Sequence, residues 1–202
     1  MFSRDFLNRM DFFLIAAVVI TIVFGILMIY SAGFDPIENT NSGLFKKQII
    51  WFIIGLIFLV LMSIINYRQM GDYSLQIYGV LVFLLLVTTA FSRPIRGTSA
   101  WLDFGLFSIQ PSEFMKLGVV IVLAKYLELR ERDIKNFREL LVPAVVTLLP
   151  VLIILKQPDF GTAAIFIPVL FTMLFIGGAD VSHLVSIILI AVIAMVFPMM
   201  LT

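Results

Sequence analysis

Cysteine is absent from the 202 residues, which removes disulfide frameworks, thiolate nucleophiles and cysteine metal sites. A single histidine, His183, excludes a zinc site of the usual multi-histidine kind. Charge is scarce as well: Asp, Glu, Lys and Arg make up 13% of the chain, against about 25% in ordinary soluble domains. Fourteen basic and thirteen acidic residues leave a net charge of +1, so no global field draws in polyanions, and no nucleic-acid partner is expected. What is abundant is apolar surface, with 61% hydrophobic residues and a mean hydropathy of +1.11. A soluble globule of this size could not hide so much, because its surface-to-volume ratio keeps many side chains outward. The solvent is therefore mostly lipid.

A spanning helix needs about 20 mainly apolar residues. Seven runs qualify as candidates: Phe12–Tyr30, Ile49–Ile65, Ser74–Phe91, Pro111–Leu127, Leu140–Leu155, Phe160–Ala179 and His183–Leu201. The expected fold class is all-α, a polytopic integral membrane helical bundle of seven spans forming one transmembrane domain over residues 1–202. The first run is too long for a secretory signal and reads as an uncleaved helix. Pro143 and Pro150 interrupt the fifth run, and a kink is expected there rather than a break, because neighbouring helices can satisfy a freed carbonyl. The last run reaches Thr202 without a polar tail, so the chain is expected to be truncated there.

Basic residues set the orientation. A cytoplasmic N-terminus puts Arg4, Arg9, Arg68, Lys125, Arg130, Arg132, Lys135 and Arg138 inside and Lys46, Lys47, Arg93, Arg96 and Lys156 outside. The loop Ser92–Gln110 and the turn at Lys156–Phe160 then share the outer face. The charged run Lys125–Glu139 reads as a solvated inner linker, and His183 as a helix-start residue.

Three stretches carry chemistry. The first is the loop that opens SRPIRGTSAWLDFG, where Arg93, Arg96 and Asp103 mix with Trp101 and Phe104 between the breakers Pro94, Gly97 and Gly105. This mixture suits an amphiphile with an anionic head, and it equally suits a plain interfacial belt. Next comes QPSEFMK, Gln110–Lys116. Pro111 fits the first helical position, Glu113 falls at the third, against the positive end of the helix dipole, and Lys116 shares its face. A charge at membrane depth costs roughly 2.5–3.5 kcal/mol, so a buried Glu113–Lys116 pair lines a polar cavity or clips helices together. The third stretch is KQPDFGTA, Lys156–Ala163, in which Asp159 sits where it could cap the following helix or share a cavity with Glu113, Lys116 and Lys156.

GTSAWLDFG, QPSEFMK and KQPDFGTA together resemble the motifs of the shape, elongation, division and sporulation family, its elongation branch first and its division branch next. The resemblance runs over nearly the whole chain. Ala100 departs from it, since many members carry Arg before the Trp, and so does Phe160, where Leu is commoner. The resemblance implies a ten-helix glycosyltransferase of the bacterial cytoplasmic membrane. Such an enzyme polymerises lipid II into glycan strands during cell-wall elongation, with a class B penicillin-binding protein as partner. It also implies an essential acid in an outer loop after the seventh helix. Glu113, Lys116 and Asp159 are then the candidate catalytic residues, and Arg96, Trp101, Gln110, Ser112 and Lys156 the candidate substrate-binding ones.

In such a reaction a sugar hydroxyl attacks the anomeric carbon of the donor and the lipid pyrophosphate leaves, so the site needs a base and cationic stabilisation. Lys116 and Arg96 suit the pyrophosphate, Glu113 orients Lys116, Asp159 organises the outer entrance, and the base is expected beyond Thr202. The cofactor stays open: a divalent cation suits a pyrophosphate, but the chain shows no ligand set for one. Two other functions stay open too, a flippase for the same lipid-linked precursor and a non-catalytic scaffold for cell-wall synthases.

Overall fold

In lipid every backbone N–H and C=O must find its partner within the protein, so long apolar runs become helices. The computed structural model describes residues 11–35, 40–92, 98–105, 107–130, 134, 137–187 and 189. All seven apolar runs carry helix. They appear as α1 (Phe12–Ala32), α2 (Leu44–Ile64), α4 (Ser74–Phe91), α5 (Pro111–Leu129), α6 (Leu141–Lys156), α7 (Phe160–Ile176) and the helical residues 181–187, with a short α3 (Tyr67–Asp72) between the second and third. Four reach spanning length and hydropathy among the described residues: α1, α2, α4, and α6 together with the 3-10 turn Phe137–Leu140 that leads into it. The fold is a polytopic membrane helical bundle.

The chain divides into two compact units, residues 1–66 and 67–202. In the first, α1 and α2 pack together and are joined by a two-stranded ribbon, β1 (Phe34–Asp35) and β2 (Thr40–Asn41). Tyr30 meets Phe45 edge to face at 5.1 Å. Neither helix buries a residue, as expected of helices that are apolar all round and face lipid. The start of α2 lies five residues before its apolar run, which places Lys46 and Lys47 in its first turn. Long basic side chains can keep their ammonium in the headgroups while their stems follow the helix.

The second unit is built around α5, which packs against α4, α6 and α7. Its inward face is Met115, Val119, Leu123 and Leu127, at helical spacing, and α7 answers with Ala163, Phe166, Leu170 and Leu174. Helices approach closely where side chains are small. A Cβ on Gly118 would stand 2.6 Å from Leu81 Cδ1, and one on Gly177 would stand 2.6 Å from Leu127 Cδ2.

Both prolines expected to kink α6 leave its helix continuous. Pro150 has no N–H, so the Val146 carbonyl lacks its usual donor. The Tyr78 hydroxyl supplies one at 2.8 Å. Pro143 falls in the first turn of α6, where an N–H has no helical acceptor to lose, and the Tyr126 hydroxyl donates to the Glu139 carbonyl at 3.1 Å. Helix α7 stops at Ile176, three residues before the end of its apolar run, where Gly177 caps it and Gly178 turns at φ 83°. Asp180 accepts from the Ser182 N–H and hydroxyl, which holds its carboxyl below the usual range. His183 sits one turn into the next helical stretch with its ring against Phe137.

Strands were not part of the all-α expectation. A second small ribbon nevertheless forms within the loop before α5, pairing β3 (Leu102–Asp103) with β4 (Ser108–Ile109). Asp103 accepts from the Gly105 N–H at 2.9 Å, and Gly105 adopts φ 81°, a left-handed turn that costs glycine little.

Candidate functional site

At the start of α5, Gln110 is extended and Pro111 takes the first helical position. Glu113 therefore falls in the first turn, as its spacing predicts. Lys116 Nζ lies 2.9 Å from both Glu113 carboxylate oxygens. The pair forms, but it is not buried: the Glu113 side chain is 53% exposed and Lys116 24%. The expectation of a buried pair is corrected on this point. Lys116 is partly buried beside the Met115–Val119–Leu123 face, while the described helices leave the Glu113 carboxylate exposed.

The α6–α7 turn reaches the same end of the bundle. Asp159 Oδ1 accepts from the Thr162 N–H at 3.0 Å and so caps α7. Its Oδ2 accepts from Gln110 Nε2 at 2.8 Å. The capping reading of Asp159 is realised, and the same carboxylate also ties the KQPDFGTA stretch to the QPSEFMK stretch. Asp159 thus acts as a bracket between the two stretches. Lys156 is exposed at the end of α6, where a cation complements the helix dipole.

Trp101 is half-buried, next to a fully buried Ala100. The Ala100 position therefore presents nothing at the surface. Arg96 lies outside the described residues. Ser112 is fully buried, and its hydroxyl has no partner among the described residues. It faces the packed interior one residue after Pro111, so it does not line an open surface.

Sequence reasoning missed Gln157. It is fully buried, and its Nε2 donates to the Leu85 carbonyl at 3.2 Å and to Thr89 Oγ1 at 2.9 Å. Its own carbonyl accepts from the Ser99 N–H at 3.3 Å. The available signal was an amide side chain set between a long apolar helix and a proline, where a group of that polarity needs a partner.

A divalent cation does not fit these residues. Among the described residues no three His, Asp or Glu side chains gather. No step is routed through a metal.

Helices of spanning length, unbroken at proline, with a polar cluster at one end, define a polytopic membrane protein. Its relatives are specific. The family profile described as "Cell cycle protein", whose short form joins FtsW, RodA and SpoVE, matches residues 11–202. The peptidoglycan glycosyltransferase RodA of Treponema pallidum is 31% identical over 192 residues, which is 94% of this chain and 44% of that protein. Stage V sporulation protein E of Bacillus subtilis is 32% identical over 181 residues, covering 87% of this chain and 50% of that one. The crystal structure of the rod shape determining protein RodA of Thermus thermophilus superposes with a TM-score of 0.77 at 29% identity, covering 92% of this chain and 60% of that one. A chain from a peptidoglycan synthase complex, solved to describe coordination of polymerization and crosslinking, gives a TM-score of 0.70 at 30% identity, covering 88% of this chain and 54% of its own. The chain belongs to the shape, elongation, division and sporulation family, that of FtsW, RodA and SpoVE. It spans about half the length of the curated relatives it matches.

Proposed function

We propose that this chain forms the lipid-facing and pyrophosphate-binding part of a peptidoglycan glycosyltransferase that polymerises lipid II in the bacterial cytoplasmic membrane. The observation that carries this reading is the Gln110–Asp159 hydrogen bond. It joins two motif stretches at the end of the bundle that also holds Glu113, Lys116 and Trp101. The names of the relatives give the class of reaction.

In this reading the N-terminus is cytoplasmic and the cluster faces the exterior. The donor lies with its polyprenyl tail among the helices and its pyrophosphate at headgroup depth. There each Lys or Arg adds about 1 kcal/mol of attraction before specific contacts form. Lys116 stabilises the negative charge that develops as the anomeric carbon–oxygen bond breaks, and Arg96 assists it. Glu113 holds the Lys116 ammonium in place from both carboxylate oxygens. Trp101 supplies an apolar face to the substrate at the interface. Gln110 and Asp159 fix the opening, and Lys156 borders it. None of these groups is assigned the proton of the acceptor hydroxyl. A class B penicillin-binding protein is the proposed partner, since glycan strands are of use once they are crosslinked.

The test is glycan-chain formation from purified lipid II by the full-length protein with its partner synthase, transpeptidation being blocked. Lys116→Ala is expected to abolish most of the product. Parental polymer yield from a folded Lys116→Ala variant overturns the assignment. Translocation of lipid II across vesicles without polymer would favour a flippase.

A further inference from the structure

We propose that Gln157 is a positioning residue for this site, holding the segment that carries Trp101 and the turn that carries Asp159 in one fixed relation. The proposal rests on the reading that this end of the bundle binds a lipid-linked sugar.

An amide among apolar helices is costly unless it is hydrogen-bonded. The Gln157 amide is fully buried, and its orientation is not arbitrary. The Leu85 carbonyl can only accept, so the NH2 group must face it. The Thr89 hydroxyl donates to that same carbonyl at 2.8 Å, which leaves its oxygen free to accept from Gln157 Nε2. The amide oxygen, by contrast, is buried with no partner among the described residues. A leucine would fill the same volume without stranding an acceptor, so what the amide contributes is its pair of donors.

Those donors fix the α6–α7 turn to α4. The backbone of the same residue then fixes the loop. The Gln157 carbonyl accepts from the Ser99 N–H, and the Ser99 carbonyl accepts from the Ser92 hydroxyl at the end of α4. Ser99 is thus held on both sides of its backbone, Ala100 is fully buried beneath it, and Trp101 emerges next. Two residues after Gln157, Asp159 holds Gln110. One buried residue therefore sets where both Trp101 and the Gln110–Asp159 bracket stand.

The experiment uses the full-length protein with its partner synthase in a cysteine-free background. Ala100→Cys reports on the loop through its reaction with a membrane-impermeant thiol reagent. Ala163→Cys, buried in α7, reports on the bundle. Gln157→Leu should raise labelling at position 100 about tenfold while position 163 stays protected, a local opening and not a global one. The KM for lipid II should rise about fivefold while kcat changes less than about twofold, because what is lost is binding that ground state and transition state share. Thr89→Val, which removes one acceptor with little change in volume, should move both readouts the same way, and Thr89→Ser should keep the parental values. If Gln157→Leu fails to fold, Thr89→Val decides. Unchanged labelling at position 100, or labelling that rises at both positions together, overturns the proposal. If the parental protein makes no polymer, the lipid II reading falls, while the labelling contrast still decides whether Gln157 holds the loop.

Discussion

The Tyr78 hydroxyl donates to the Val146 carbonyl across 2.8 Å, and Val146 is the residue whose helical donor is missing at Pro150. A side chain on α4 thereby completes the backbone of α6. Tyr126 on α5 donates to the Glu139 carbonyl just before α6 begins. In lipid, where water cannot take the place of a lost donor, the Tyr78 bond lets a helix with an interior proline remain one helix.

Tyr78→Phe should therefore cost about 1–3 kcal/mol of stability, the penalty of a buried unsatisfied carbonyl. In a Pro150→Ala background the helix regains its own donor, and the same change should cost less than about 1 kcal/mol. Thermal unfolding of the four proteins in detergent measures the cycle. Equal costs in the two backgrounds would mean that the hydroxyl serves some other purpose.

Asp159→Ala removes a helix cap and the bond to Gln110 together. The cap alone is worth about 1 kcal/mol, and the side-chain bond adds a comparable amount. Asp159→Asn keeps an oxygen for Thr162 and, after Gln110 reverses its amide, a donor for that residue. Its loss should be about half or less of that of the alanine variant in stability and in polymer formation alike. A folded asparagine variant as inactive as Asp159→Ala would show that the charge itself is needed.

Glu113 and Lys116 should couple weakly in stability and strongly in activity. A half-exposed i,i+3 pair contributes about 0.2–1 kcal/mol, so a double-mutant cycle on Glu113→Gln and Lys116→Met should stay within that range. Polymer formation by either single variant should nevertheless fall by about tenfold or more, because a cation aimed at developing charge acts in the transition state. A coupling of several kcal/mol with unaltered turnover would reassign the pair as a helix clip.

The proposed sidedness has a direct test. Ser108 is exposed on the ribbon before α5, and Glu128 is exposed at the opposite end of that helix. Ser108→Cys should react with an impermeant thiol reagent in intact spheroplasts, and Glu128→Cys only after permeabilisation. The reverse pattern inverts the topology and moves the whole cluster to the inner face.

Much of the helical framework is local and was legible in residue order. The third apolar run and α4 share both ends, Ser74 and Phe91, because Tyr73 and Ser92 lie just outside a run with no charge. Pro111 opens α5 for the reason its chemistry predicts, a missing N–H that costs nothing at the first helical position. Boundaries drifted where a side chain could reach past the apolar run, as at Lys46 and Lys47, or where glycine stopped a helix early, as at Gly177. The ribbon Leu102–Ile109 was missed because two residues per strand leave no period to read.

The sequence by itself determined that this chain spans lipid, where its helices lie and that Glu113 pairs with Lys116, since hydropathy and i,i+3 spacing act over a few residues. Tertiary structure alone decided that Gln110 meets Asp159, 49 residues away, that Gln157 reaches Thr89 across 68, and that Ser112 is buried. Those outcomes depend on which faces of α4, α5 and α6 pack together. A helix that is apolar all round carries no stripe to say which face turns inward. Close packing and the need to pair every buried polar group make that choice, and both come into play only when the helices meet.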